Sequence, residues 1–152
     1  MLKPLANLFN LLRKHMKFKL LIAALSFTPI LVYAQTIPNM LGTWKGITNS
    51  TVIGTGTHHL LPNKKDTEIH VTHIPLTIVF DHQVGMNFWG TQSTASYKEV
   101  AIGALSSDLQ GGVMVDSDGI TYFKIVDPNT IQYCYAQMQK PKVASCAELK
   151  RQ

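Results

Sequence analysis

Residues 113–138 read VMVDSDGITYFKIVDPNTIQYCYAQM. Three short runs rich in β-branched and aromatic residues are separated by Asp116-Ser117-Asp118-Gly119 and by Asp127-Pro128-Asn129-Thr130. Asp and Gly tolerate the positive φ that tight hairpin turns require, and a Pro early in a turn pre-sets φ near the value such turns use. The stretch therefore predicts three antiparallel strands: Val113–Val115, Ile120–Val126 and Ile131–Met138. Successive side chains of a strand point to opposite faces. In the third strand Ile131, Tyr133 and Tyr135 share one face and Cys134 takes the other. A calcium loop is the competing reading of Asp116–Gly119. An EF-type loop wants Gly at its sixth position and Glu at its twelfth, whereas here Gly119 is fourth and Asp127 twelfth.

The same grammar extends outward along the chain. Leu41 to Ile53 is a first run, followed by a polar loop from Gly54 to Asp66. Glu68 to Phe80 is a second, in which Leu76, Ile78 and Phe80 alternate with Thr77, Val79 and Asp81. Pro75 inside it cannot donate a ladder hydrogen bond and marks a break or an edge position. Asp81 to Gly85 reads as a turn. Met86 to Ser93 and Tyr97 to Ser106 follow, the latter with Val100, Ile102 and Ala104 on one face, then a turn from Asp108 to Gly112. After Lys140-Pro141-Lys142 breaks the chain, Val143 to Leu149 is the last run. No apolar periodicity of helical spacing lasts beyond about two turns. Eight short runs joined by hairpin-length links predict an all-β fold, a single eight-stranded up-and-down antiparallel β-barrel, since closure removes the exposed sheet edges. A barrel of eight strands is just wide enough to be filled by side chains or to hold one small ligand.

Ahead of the barrel, residues 1–34 read as a signal peptide. Lys17 and Lys19 precede an apolar run from Leu20 to Tyr33, and Val32-Tyr33-Ala34 fits a cleavage site. The run is about 14 residues and contains Pro29, short of the roughly 20 that a spanning helix needs. Met16 opens a well-formed signal by itself, and is the preferred start over Met1. Five of the 14 basic residues lie in 1–34, with no acid, so residues 35–152 carry nine basic and nine acidic side chains. The net charge of +5 thus belongs to the leader, and neither a nucleic-acid partner nor, after cleavage, a membrane is expected. A chain of 152 residues holds one ordinary domain, here 35–152, and excludes a multidomain enzyme. Export to periplasm or medium implies an oxidising compartment, where Cys134 and Cys146 are expected to pair. Closing so short a loop stabilises by roughly 3 kcal/mol in the chain-entropy model.

Leu41-Gly42-Thr43-Trp44-Lys45-Gly46 resembles the G-x-W opening of calycins, the superfamily of lipocalins, fatty-acid-binding proteins and avidins. The resemblance implies that Trp44 sits at the closed end of the barrel, covered by a basic residue late in the chain, Lys150 or Arg151. Avidins line their biotin site with several tryptophans, whereas residues 35–152 hold Trp44 and Trp89, so biotin binding is not carried over. The opening is also similar to nitrobindin-type haem barrels, whose ligand is a late histidine; no His follows His82 here. The His58-His59 pair and the Phe88-Trp89-Gly90 triplet resemble a bacterial type of small exported barrel to which no activity attaches.

Few residues point to chemistry. His58 and His59 lie in the first loop, His70 and His73 on the second run, and His82 after it. Strand spacing puts positions 70 and 73 on opposite faces, and no recognised ligand spacing is present, so no metal and no cofactor is expected. There is no G-x-S-x-G, no unpaired Cys, and the carboxylates look scattered apart from Asp116 and Asp118, so a non-catalytic protein is expected. Asn49-Ser50-Thr51 is a glycosylation sequon. Phe88 and Trp89 must face opposite ways. The expected function is binding of a small apolar or aromatic ligand inside the barrel, with Trp44, His58, His59, Phe88, Trp89, Tyr133 and Tyr135 as its contacts. The alternative is a filled barrel that works through its outer surface near Trp89 or Tyr97, an inhibitor or an envelope-associated protein. Inward Met, Phe and Tyr bulk discriminates the two.

Overall fold

The computed structural model describes residues 36–55, 65 and 67–152. The leader, most of the first loop and both His58 and His59 lie outside the described residues. Eight strands run in chain order: β1 Gly42–Ile53, β2 Ile69–Val84, β3 Asn87–Ser93, β4 Lys98–Leu105, β5 Gly111–Val115, β6 Ile120–Asp127, β7 Thr130–Gln137 and β8 Lys142–Arg151. Each pairs antiparallel with its neighbours in sequence, and β8 returns to β1, so the sheet is a closed barrel. No helix occurs among the described residues.

Two turn readings are corrected: β5 begins at Gly111, so the turn from Asp108 stops short of Gly111 and Gly112, both of which pair in the sheet. Asp81 to Gly85 is not a turn; β2 continues to Val84 and pairs with β3 through His82↔Trp89 and Val84↔Asn87. The register shifts between Phe80 and His82, a bulge that leaves Asp81 unpaired. The reversal falls at Gly85, whose φ of 59° suits glycine. Pro75 does occupy an edge-like position: β3 stops at Ser93↔Thr77, so β2 has β1 but not β3 beside it there.

Alternation divides the side chains cleanly. Inward positions hold Trp44, Leu76, Ile78, Phe80, Phe88, Leu105, Met114, Phe123, Ile131, Tyr133 and Leu149, all buried, with Met40 sealing them from the preceding segment. Each fully buried side chain of this size contributes about 1.5–3 kcal/mol relative to exposure. Three phenylalanines interlock edge to face, Phe80 on Phe88 at 4.8 Å and Phe88 on Phe123 at 5.7 Å. Gly103 of β4 leaves room for the Phe88 ring, which occupies the place a Cβ would take.

Trp44 closes one end. Its indole Nε1 donates to Met40 O at 2.9 Å, so its single donor is satisfied in the core. The Arg151 guanidinium stacks over the ring, 4.4 Å from its centroid. It also donates to the carbonyls of Asn39, Leu41 and Pro128. Arg151, rather than Lys150, is thus the late basic residue on the tryptophan; Lys150 instead donates to Thr130 and pairs with Glu148. Cys134 and Cys146 face each other across β7 and β8 on the outer wall and are disulfide-bonded.

Candidate functional site

Three regions of the barrel hold the residues singled out in the sequence. The first is the interior, where bulk fills the closed half. Toward the opposite end, the mouth, the inward side chains turn polar: Thr48, Ser50, Gln92, Thr121, Gln137 and Ser145 are all buried. Ser50 and Ser145 share a hydrogen bond of 2.7 Å, and Thr48 donates to Ile74 O at 3.2 Å. The space among Thr48, Ser50, Tyr97, Tyr133, Tyr135 and Ser145 is about 30 Å³, room for a water molecule or so.

The second region is the rim of that mouth. Glu99 of β4 and Asp116 and Asp118 of the β5–β6 turn bring carboxylate oxygens within 4.8 Å of one another. Gln92 Nε2 donates to Glu99 at 2.9 Å and to Asp116 at 2.5 Å, and Ser117 Oγ donates to the other oxygen of Glu99 at 2.5 Å. Asp116 also accepts from the backbone N–H groups of Asp118 and Gly119. This is the self-bonded Asp turn that joins β5 to β6 as a hairpin, and the three carboxylates are close enough to one another to hold a metal ion. Burial raises the Asp116 carboxyl above its ordinary value, with the Glu99 charge adding to the effect. Tyr135 donates to Asp118 at 2.8 Å, and burial together with that bond holds its hydroxyl protonated far above the usual tyrosine range. Tyr133 is pushed up to about 12, chiefly by burial, and Tyr97 is raised for the same reason. Chemically the rim is a set of acceptors shared among amide, hydroxyl and backbone donors.

The third region is the outer wall over β3 to β6. Cross-strand neighbours run Trp89↔Ile102↔Val115↔Ile120 in one row and Asn87↔Ala104↔Val113↔Tyr122 in the next. Val100 extends the first row toward the mouth. Tyr122 is 64% exposed, Val100 62% and Ile102 53%; Trp89, at 37%, is the ridge of the surface. Its indole stacks flat on His82 at 5.2 Å, and His82 in turn is held by Asp81 at 2.7 Å. That hydrogen bond lowers the Asp81 carboxyl below its ordinary value. Beside the ridge runs a groove of about 390 Å³ with Ala104 in its floor and Val113 and Val115 on its far side.

The sequence-chosen residues are therefore scattered over these regions rather than gathered in one. Trp44 and Phe88 are core, each 1% exposed. Tyr133 and Tyr135 point inward at the mouth, and Tyr97 does too, so it is not part of the outer surface. Trp89 faces out. His70 turns inward and His73 outward, where His73 Nδ1 bonds Asn49 of the sequon at 2.9 Å. The convergence of Glu99 on Asp116 and Asp118 is not among the sequence expectations. The signal was present: Glu99 occupies an inward position on a strand whose outward positions, Val100 and Ile102, are apolar, the inverse of an ordinary surface strand.

A further concavity of about 540 Å³ lies at the closed end, between residues 36–40 and the β6–β7 turn. The Arg151 donors there are turned to backbone carbonyls rather than into the open space. No family model, no curated protein and no solved structure matches this chain. The closed eight-stranded antiparallel barrel with Trp44 under a late arginine is consistent with a calycin-like fold.

Proposed function

We propose that the protein is an exported, non-catalytic interaction module: a filled calycin-like barrel whose working surface is the outer wall over β3 to β6. One observation carries the reading. Trp89, Val100, Ile102, Val113, Val115, Ile120 and Tyr122 form a contiguous exposed apolar face with no charged side chain inside it. Together they expose on the order of 600 Å², the upper end for the largest patch on an ordinary monomer, and such patches mark contact surfaces. An apolar ligand inside the barrel has less support. The closed half is occupied by Trp44, three phenylalanines and aliphatic bulk, and the remaining space near the mouth is about 30 Å³, lined by hydroxyls together with Ile74, Leu76 and Val143. The leader read from residues 1–34 and the Cys134–Cys146 bridge both favour an oxidising compartment.

The test is site-specific photo-crosslinking in living cells. A benzophenone side chain is placed at Ile102 or Val115, and for comparison at Lys150 on the opposite wall. Irradiation is expected to give a discrete adduct from Ile102 and Val115 and none from Lys150. No adduct from either face position, or equal adducts from all three, sinks the proposal.

A further inference from the structure

We infer that the occupant of this outer wall is a second copy of the same chain, joined about a two-fold axis so that the Trp89 ridge of each copy lies in the Ala104 groove of the other. The inference rests on the reading of the wall as a contact surface and specifies its partner.

An isologous interface needs one patch that is complementary to itself. This patch carries both halves of the fit. Its ridge is an indole held flat by His82, which is itself held by Asp81, so little side-chain freedom is lost on docking. Its groove, about 390 Å³, runs alongside that ridge and has the small Ala104 in its floor, between Asn87 and Val113 of the neighbouring strands. The groove volume exceeds that of an indole ring. Trp and Tyr are enriched among the residues that dominate binding energy; Trp89 lines the groove, and Tyr122 lies beyond it, beside Val113 of its far side.

Charge and area agree with a self-partner. Opposed like charges would penalise a symmetric contact, and the seven side chains of the patch are uncharged. The charges around it come in both signs: Lys98 beside Glu99, Asp116 and Asp118 toward the mouth, Asp81 on His82 at the ridge, and Lys124 with Asp108 toward the closed end. With nine basic and nine acidic residues, the segment 35–152 has no net charge to repel its copy. The exposed patch, on the order of 600 Å² before its rim is counted, approaches the roughly 800 Å² per partner of a standard interface.

The experiment is sedimentation equilibrium of the chain purified from the cells that make it, beside Ile102→Lys and Ala104→Arg. Both substituted side chains point outward, and near-ultraviolet circular dichroism verifies their folds. Val71→Lys, outward on β2 and far from the patch, is the control. The unaltered chain and Val71→Lys are expected at twice the chain mass. Ile102→Lys and Ala104→Arg are expected to raise the dissociation constant about 100-fold or more, because each dimer would bury the new charge twice. A monomeric unaltered chain, or a dimer unmoved by Ile102→Lys, overturns the inference. The crosslinked adduct from Ile102 separates the two levels of the argument. At twice the chain mass it supports the dimer. At another mass it overturns the self-partner while leaving the contact surface standing, and its absence overturns both.

Discussion

Gly103 and Phe88 offer a double-substitution cycle that reads the inward register of β3 and β4 directly. Phe88 is 1% exposed and meets Phe80 and Phe123 edge to face. Truncating it to Ala leaves a cavity and should cost about 3–5 kcal/mol. Gly103 lies across from it, and a Cβ there would fall on the Phe88 ring, with Met114 the next neighbour. Gly103→Ala alone should therefore overpack the core and cost about 1–3 kcal/mol. The backbone at 103 is not in the left-handed region, so alanine carries no conformational penalty. Once the ring is gone, the added methyl enters vacated space beside a flexible methionine. In the Phe88→Ala background the same substitution should be neutral or stabilise by up to about 1 kcal/mol. The coupling is then about 2 kcal/mol. Urea unfolding followed by the fluorescence of Trp44 and Trp89 reads it, with a slope of about 1–3 kcal/mol/M placing the effect near a 1 M displacement of the midpoint. Additivity within about 0.5 kcal/mol would mean that Phe88 does not lie over Gly103 and would refute the facing of both strands.

Cys134→Ser with Cys146→Ser removes a bridge closing 12 residues of sequence separation; the expected loss is about 3 kcal/mol, or about 10 °C in a thermal melt, and a melt displaced by less than about 2 °C would show the bridge to be dispensable. The pH dependence should have two limbs of opposite sign. Asp81, Asp108 and Asp127 have carboxyls lowered by hydrogen bonds from His82, Ser106 and the Asn129 N–H respectively, so their stabilisation is present above about pH 4 and lost as pH falls below it. Asp116 has a raised carboxyl, so the native state binds more protons than the unfolded chain between the ordinary value and the raised one, and stability falls as pH rises through that window. Asp116→Asn should flatten the second limb in denaturation midpoints measured across pH while leaving the first; an unchanged second limb would remove Asp116 from the account.

Most of the strand pattern was legible because turn chemistry is local. Asp116–Gly119, Asp127–Thr130 and Lys140-Pro141-Lys142 each interrupt the pattern through the backbone preferences of their own residues. Alternation then separates the faces, Ile131, Tyr133 and Tyr135 from Cys134; the structure turns the first set inward and Cys134 outward toward Cys146. The turn read at Asp81–Gly85 failed because Asp, His and Gln mimic loop composition. They are exposed or half-exposed on a strand carried past its bulge, and only the pairing of His82 with Trp89 reveals it. The site was harder to read. Val100, Ile102 and Ala104 were assigned to one face, but the periodicity cannot say whether a face is inside or out. Here the wall they share with Trp89 is exposed while Glu99 and Gly103 turn inward. The grouping of Glu99 with Asp116 and Asp118 depends on the turn folding back over β4, a contact that no single strand encodes.

Arg151 is next to last in the chain, yet it holds Trp44, Leu41 and Asn39, and the Gln152 N–H reaches Thr43 O. The ring of strands cannot close until β8 has been made, because β8 supplies the second neighbour of β1 and the cover of its tryptophan. Every shorter nascent chain keeps two open sheet edges and an uncovered end. On the proposed route of export through a membrane channel that delay is an advantage: the barrel stays open until β8 has followed the other seven strands.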